Sequence, residues 1–288
     1  MEAAQVPSVP SLPSGFRARV EAALEAELVR RRAELEALDP RATALVDELR
    51  RLLAAGGKRL RPTFCHLGYR AAGGEDGEGI VRAAAALELL HTFALVHDDV
   101  MDEATERRGA ATTHVRFAAL LGSSARGRSA AILVGDLAAV LAESLLRRSG
   151  FPAPALEAAF QRFDAMRLAM AAGQYLDVAG AGSDLPGVEH VARLKTAAYT
   201  AEGPLAIGAA LAGAPPELED ALRAYGRAVG EAFQLRDDLL DGSAPDGARE
   251  RANALVDEAL AALVGAPGDA EALAALRSLA EAIRPREG

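Results

Sequence analysis

Three carboxylates end an apolar stretch in the first half of the chain. Asp98 and Asp102 lie four residues apart, with Asp99 beside them. Residues four apart share one face of a helix, so these side chains would crowd together and repel one another. A divalent cation relieves that repulsion, and Mg²⁺ in particular binds a few carboxylates together with phosphate oxygens. One such cluster alone is more often an acidic helix end in water than a metal site.

The same spacing occurs a second time, at Asp237, Asp238 and Asp241, and again it follows a run of small and apolar residues. Two Asp-Asp-x-x-Asp motifs on separate helices can face each other and hold several Mg²⁺ ions around one diphosphate. An acidic surface patch has no reason to repeat with identical spacing. The pair of motifs therefore predicts a magnesium and diphosphate site.

Basic residues are concentrated in two short segments of the chain. A Gly-Gly-Lys-Arg-Leu-Arg-Pro turn at residues 56–62 precedes a helical pattern, and Arg107 and Arg108 follow the first acidic motif. Backbone amides at a helix start favour anions, and cations placed there add to the effect. The chain contains only two lysines, Lys58 and Lys195. The simpler interpretation is a basic surface turn for residues 56–62 and salt bridging for Arg107 and Arg108. The sharper interpretation of both segments is binding of phosphate oxygens.

Composition limits the other classes of function. Half of the 288 residues are hydrophobic, only 4% are aromatic, and the net charge is −9. An acidic chain without a large basic patch argues against nucleic-acid binding. The single cysteine, Cys65, cannot form an internal disulfide, which favours a reducing, cytoplasmic location and a buried, inert thiol. Polar residues interrupt the longest apolar stretches, so no transmembrane segment is expected, and the early acidic residue and prolines argue against a signal peptide.

Helical periodicity covers most of the chain. Residues 1–14 read as a flexible arm, and residues 15–288 as one all-α domain, a bundle of about ten or more helices. No stretch alternates with period two, so no sheet is expected. The expected helices span about 16–38, 42–53, 80–102, 128–147, 155–176, 216–241, 248–264 and 270–283, with a further helix at Lys195 interrupted near Gly203.

Taken together, these motifs resemble the trans-isoprenyl diphosphate synthases, also called polyprenyl synthetases. The resemblance runs in order through the 56–62 turn, both acidic motifs, the segment 107–109, Gly173-Gln174 and Lys195-Thr196. It implies a homodimeric helical fold with a deep central cavity. It also implies condensation of an allylic diphosphate with isopentenyl diphosphate, assisted by about three Mg²⁺ ions per site.

The resemblance also assigns residues to roles. The metal ligands would be Asp98, Asp99, Asp102, Asp237, Asp238 and Asp241. The allylic diphosphate would contact Arg107, Lys195, Thr196 and Gln234, and the catalytic group would comprise Lys195, Thr196, Gln174 and Arg107. Isopentenyl diphosphate would contact Lys58, Arg61, His91 and Arg108.

Product length depends on the residues that precede Asp98 on its helix. Phe93 and Ala94 lie four or five residues earlier, about 7.5 Å along the axis at most, and Leu90 lies about one turn further. A ring beside a small residue would stop a long tail and leave room for a moderate one. Family members with this arrangement make geranylgeranyl diphosphate, so we expect that C20 product, with C15 farnesyl diphosphate as the alternative.

One departure from the family pattern follows the second acidic motif. Residues 242–247 lead almost directly into the next helix, where the family has a lysine-containing loop. Either that lysine is lost, or a loop segment is absent from the printed sequence, and the second fits the intact motifs better.

Two other functions remain to be compared. A terpene cyclase on the same scaffold would have no use for Lys58, Arg61 and Arg108. A non-catalytic subunit of a heteromeric synthase would not need both sets of aspartates.

Overall fold

Helices account for nearly all of the computed structural model, which describes residues 15–180, 190–191, 193–242 and 244–285. Within these residues there are eleven α-helices, one π-helix, one 3₁₀ turn and one two-stranded ribbon. The elements are α1 (Phe16–Leu38), the 3₁₀ turn (Pro40–Ala42), α2 (Thr43–Ala54), α3 (Leu60–Ala71), α4 (Glu78–Met101), β1 (Glu106–Arg107), β2 (Ala110–Ala111), α5 (Thr113–Leu121), α6 (Ser124–Arg147), α7 (Ala153–Val178), the π-helix (Arg193–Glu202), α8 (Gly203–Leu211), α9 (Pro216–Asp241), α10 (Ala248–Ala262) and α11 (Ala270–Ile283).

This architecture confirms the all-α prediction and most of the helix bounds. The expectation of no sheet is wrong at one place, where β1 and β2 pair antiparallel with Arg107 opposite Ala110. Helix α5 was also missed. The predicted interruption near Gly203 coincides with a change of helix type, since the π-helix runs to Glu202 and α8 begins at Gly203. The arm at residues 1–14 lies outside the described residues, and the single domain stays a prediction.

The described chain forms two compact units, which we call the N-terminal unit (15–59 and 81–150) and the C-terminal unit (60–80 and 151–285). In the N-terminal unit, two buried carboxylates tie helices together. Glu27 on α1 accepts hydrogen bonds from Arg30, Arg31 and Arg148, which lies at the end of α6. Glu48 on α2 accepts from Thr113 at the start of α5. Burying a carboxylate is costly unless donors surround it, and here they do.

The C-terminal unit is built around a core of α3, α8, α9, α10 and α11. Its largest fully buried side chain is Tyr225, whose hydroxyl donates to the carbonyl of Leu276 over 2.7 Å. Helices α3 and α8 approach closely because Gly68 and Gly208 carry no side chain, and a Cβ at either would collide with backbone atoms of the other helix. Cys65 is buried in this contact, as predicted, and burial raises the pKa of its thiol to about 12.

Two helices, α4 and α6, are long and apolar enough to cross a membrane by length and composition alone. The apolar window of α4 is 67% buried inside the protein, as expected of a core helix. In α6 that share is 44%, because one face of the helix is exposed.

Candidate active site

The first acidic motif ends α4 in the N-terminal unit. Asp99 is only 3% exposed, whereas Asp102 lies on the surface. Arg107 contacts both Asp98 and Asp99. Its Nε donates to Asp99 Oδ1 over 2.7 Å, and its Nη2 donates to Asp98 Oδ2 over 3.4 Å. A guanidinium therefore lies beside this pair of carboxylates and offsets their negative charge.

The ribbon places Arg107 there. Arg108 and Gly109 form its two-residue turn with φ values of 53° and 75°, and a turn with both central residues left-handed suits the twist of a hairpin. Thr112 closes the ribbon by donating its hydroxyl to the carbonyl of Ala104 over 2.7 Å. Two residues per strand give no readable alternation, so the sequence signal was limited to the Arg-Gly dipeptide.

The electrostatics of Asp99 reflect two opposing effects. Burial raises the pKa of Asp99 above its usual value, and the neighbouring Arg107 offsets part of that rise. A desolvated carboxylate of this kind stays ionised only when a cation lies beside it. The potential metal ligands of both acidic motifs are all carboxylate oxygens, which suit a hard cation such as Mg²⁺. Among the described residues no group of three or more potential ligands is already close enough to hold a metal.

The second acidic motif ends α9 in the C-terminal unit. Asp237 and Asp238 are half-buried, and the Nε2 of Gln234 donates to Asp238 Oδ1 over 2.8 Å. Gly242 adopts φ 73° and terminates the helix. The side chain of Asp241 lies outside the described part of the chain.

Lys195 and Thr196 lie on the π-helix of the same unit. Pro204 has no N–H to bond the carbonyl of residue 200, so the regular α-helical ladder is broken at this point. Such π-helical segments occur often at functional sites. The ammonium of Lys195 donates to Asp177 Oδ2 over 2.6 Å, from the end of α7.

Two glycines hold the π-helix from either side. A Cβ at Gly173 on α7 would collide with the backbone N of Lys195, and one at Gly230 on α9 would press on the carbonyl of Ala197. The predicted Gly173-Gln174 pair thus combines a close backbone approach with a half-buried amide at Gln174. Sequence reasoning singled out Gly173 but not Gly230.

The residues predicted to bind isopentenyl diphosphate fall in both units. In the N-terminal unit, Lys58 is exposed on its turn, His91 is half-buried on α4, and Nη1 of Arg108 donates to the carbonyl of Gly56 over 3.2 Å. In the C-terminal unit, Arg61 begins α3; its Nη2 donates to the hydroxyl of Thr200 over 3.0 Å. The guanidinium of Arg61 also stacks on the ring of Tyr199, 4.2 Å from its centroid.

The residues predicted to limit product length line α4 before Asp98. Leu90 is buried, whereas Phe93 and Ala94 are half-buried. The ring of Phe93 packs edge to face on His97, with centroids 4.7 Å apart. His97 in turn lies over Gly135 of α6, and its Nε2 is 3.0 Å from the carbonyl of Ile132. The position of Phe93 is therefore fixed through a neighbouring helix.

Comparison with known proteins agrees with these motifs. Residues 43–252 match the family model described as polyprenyl synthetase. The chain is 37% identical over 193 residues to the short chain isoprenyl diphosphate synthase of Methanothermobacter thermautotrophicus, which covers 66% of this chain. It is 36% identical over 196 residues, or 67% of this chain, to the octaprenyl diphosphate synthase of Escherichia coli. In both cases the match spans 56% of the relative's length, so the chain matches only a little over half of these proteins.

The fold agrees over a greater length. The crystal structure of a geranylgeranyl pyrophosphate synthase from Corynebacterium glutamicum, complexed with isoprenyl diphosphate and magnesium, superposes with a TM-score of 0.86. The identity is 29%, and the superposition covers 95% of this chain and 99% of that one. Since the family model matches most of the chain and the motifs follow in order, the chain belongs to the polyprenyl synthetase family.

Proposed function

We propose that this chain is a trans-prenyltransferase that condenses an allylic diphosphate with isopentenyl diphosphate. The observation that carries the proposal is the pair of Asp-Asp-x-x-Asp motifs, each at the end of a long helix and each with a cation or amide within hydrogen-bond distance of its carboxylates. Membership of the polyprenyl synthetase family supports it.

The allylic substrate would be held through its diphosphate. Asp98, Asp99, Asp102, Asp237, Asp238 and Asp241 are the residues that would bind magnesium, about three ions in all. Those ions, when bound, supply positive charge that stabilises the departing diphosphate. Arg107, Lys195 and Thr196 would donate to the same diphosphate as its carbon–oxygen bond breaks, and Gln234 would support this group.

The second substrate would need its own cations. Lys58, Arg61, His91 and Arg108 would bind the diphosphate of isopentenyl diphosphate, whose double bond attacks the allylic carbon. Breaking the carbon–oxygen bond would leave an allylic cation. The oxygen dipoles of Thr196 and Gln174 would stabilise that cation transiently. The proton lost at the end can pass to the released diphosphate, so no strong protein base is required. Water must be excluded to prevent quenching of the cation.

We assign a C20 product, geranylgeranyl diphosphate, with C15 farnesyl diphosphate as the alternative. The half-buried ring of Phe93 beside the small Ala94 supports this assignment. The relatives differ among themselves, since one is named for an octaprenyl product. The product of this chain therefore depends on its own residues.

The active form proposed is a homodimer in the cytoplasm. In the N-terminal unit, α5 and α6 expose large apolar side chains that a monomer would leave in water, namely Leu120, Leu121, Ile132, Leu133 and Val140. Leu133 and Val140 are 55% and 62% exposed and lie seven residues apart, so they share one face of α6. Several exposed large apolar side chains on neighbouring helices are typical of an interaction surface.

The test is incubation of the purified chain with Mg²⁺, isopentenyl diphosphate and allylic starters of increasing length. We expect linear prenyl diphosphates ending mainly at C20. Formation of a cyclic hydrocarbon without consumption of isopentenyl diphosphate would indicate a terpene cyclase. An inactive chain that becomes active only with a second subunit would indicate a non-catalytic partner.

A further inference from the structure

A buried ion pair lies beneath the Gly56–Lys58 turn in the N-terminal unit. Arg59 and Glu88 are 7% and 4% exposed, and Nη1 of Arg59 donates to Oε2 of Glu88 over 2.7 Å. Resting on the proposed function, we propose that Arg59 and Glu88 are positioning residues for the isopentenyl diphosphate site. They hold the turn so that Lys58 meets the substrate.

The turn depends on such an anchor because its backbone is unfavourable. Gly56 has φ 80°, which glycine tolerates, but Arg59 has φ 52°, a left-handed conformation that is unfavourable for a residue with a side chain. The surroundings must compensate for that strain. Arg59 does so with two bonds at once: its Nη2 donates to the carbonyl of Leu53, in the last turn of α2, over 2.8 Å, while Nη1 holds Glu88.

Glu88 connects the turn to the predicted substrate ligands. It lies three residues before His91 on α4, so the two side chains share a helix face. Arg108 contacts the opposite part of the turn through the carbonyl of Gly56. Lys58 lies in sequence between Gly56, which Arg108 contacts, and Arg59, which pairs with Glu88. Because the lysine side chain is flexible, the position of its ammonium depends on the backbone that carries it.

Stability alone is a poor explanation of this pair. Buried ion pairs often contribute little to folding compared with apolar residues of similar size, and in some proteins their role is to specify one conformation. The guanidinium fork of Arg59 matches two acceptors in fixed directions, which a lysine cannot reproduce. The chain offers a matched control in Glu27, a carboxylate buried to the same degree that also accepts from arginines but lies at the α1–α6 contact.

The experiment compares Arg59→Lys and Glu88→Gln with the controls Arg148→Lys and Glu27→Gln. KM is measured for isopentenyl diphosphate at saturating allylic substrate, and for the allylic substrate at saturating isopentenyl diphosphate. We expect the first two variants to raise the KM for isopentenyl diphosphate about tenfold, since a charge-assisted hydrogen bond is distorted, with the allylic KM and kcat within about twofold. The controls should lower Tm without changing either KM.

Equal changes in both KM values, or a lower Tm with neither KM changed, would overturn the positioning role. If either single variant fails to fold, the double variant Arg59→Met with Glu88→Leu removes both charges together and leaves none buried and unpaired. A raised KM for isopentenyl diphosphate in that variant supports the proposal, and an unchanged KM refutes it. A wild-type chain that consumes no isopentenyl diphosphate would instead contradict the proposed function itself.

Discussion

Several of the side chains assigned to the allylic diphosphate are paired with carboxylates in this structure. Arg107 contacts Asp98 and Asp99, Lys195 contacts Asp177, and the amide of Gln234 contacts Asp238. The Lys195–Asp177 pair is partly exposed on both sides, with side-chain exposures of 25% and 45%. A pair of this kind is typically worth about 1 kcal/mol or less, so the proposed diphosphate substrate can displace it at little cost. The side chain of Asp99 is only 5% exposed, so parting Arg107 from this carboxylate costs more unless another cation replaces it.

Phe93 is the residue on which the product assignment depends. We expect Phe93→Ala to shift products to C25 or longer, because removing the ring opens the space below Asp98 on α4. Product length is read by chromatography of the dephosphorylated alcohols. Phe160→Ala on α7 is the control and should leave the distribution unchanged. An unchanged distribution in Phe93→Ala would show that this ring does not limit the tail.

At the scale of elements, the position of the π-helix depends on close backbone contacts. Lys195 is placed by the absence of a side chain at Gly173 on α7, and Ala197 by the same absence at Gly230 on α9. Neither contact involves a polar side chain, so packing determines the position of the π-helix, which carries the proposed catalytic residues. Packed interfaces of this kind do not deform continuously, so adding a single methyl group is enough to disturb them.

Gly173→Ala tests this packing. The new Cβ collides with the backbone N of Lys195, so we expect a loss of about 1–3 kcal/mol in the free energy of unfolding and a fall in kcat of at least about tenfold. Gly77→Ala is the control, since its Cβ meets open space and its backbone is not left-handed. Urea denaturation and steady-state kinetics measure both effects. Normal kcat in Gly173→Ala would mean that the contact does not position Lys195.

The sequence predicts those elements whose ends carry strong local signals. Helix α1 ends where Asp39-Pro40 stops it, and α9 begins at Pro216 and ends before Gly242, as expected. The ribbon was missed because strands of two residues have no periodicity. The π-helix was missed because its register is set by Pro204 together with contacts to distant glycines.

In the candidate site too, the sequence predicts the residues that belong to local motifs and misses those placed by distant contacts. Repeated aspartates and clustered cations are visible as local motifs, so their residues could be named from the sequence. The partnership of Arg59 with Glu88 joins residues 29 apart on different elements, and no local pattern marks it. Glu88 reads only as a polar interruption of an apolar helix until the fold is known.

At the scale of the whole molecule, the exposed face of α5 and α6 predicts the oligomeric state. We expect Leu133→Glu with Val140→Glu to convert a dimer to a monomer, because each large apolar side chain contributes about 1.5–3 kcal/mol when buried and a two-fold interface counts each residue twice. Light scattering coupled to size-exclusion chromatography gives the mass. Leu38→Glu, at an apolar position on α1 that is 81% exposed, should leave the mass unchanged. A wild-type monomer would contradict the proposed dimer.

The central claim is that both acidic motifs serve one Mg²⁺-dependent condensation. The most direct measurement is the rate of prenyl diphosphate formation in Asp98→Asn and in Asp237→Asn, with Asp220→Asn, an exposed carboxylate at the other end of α9, as the control. We expect the rate to fall at least about a thousandfold in each of the first two variants and in wild type with excess chelator. The control should lose no activity. Near-normal turnover in either motif variant, or in excess chelator, would contradict the central claim.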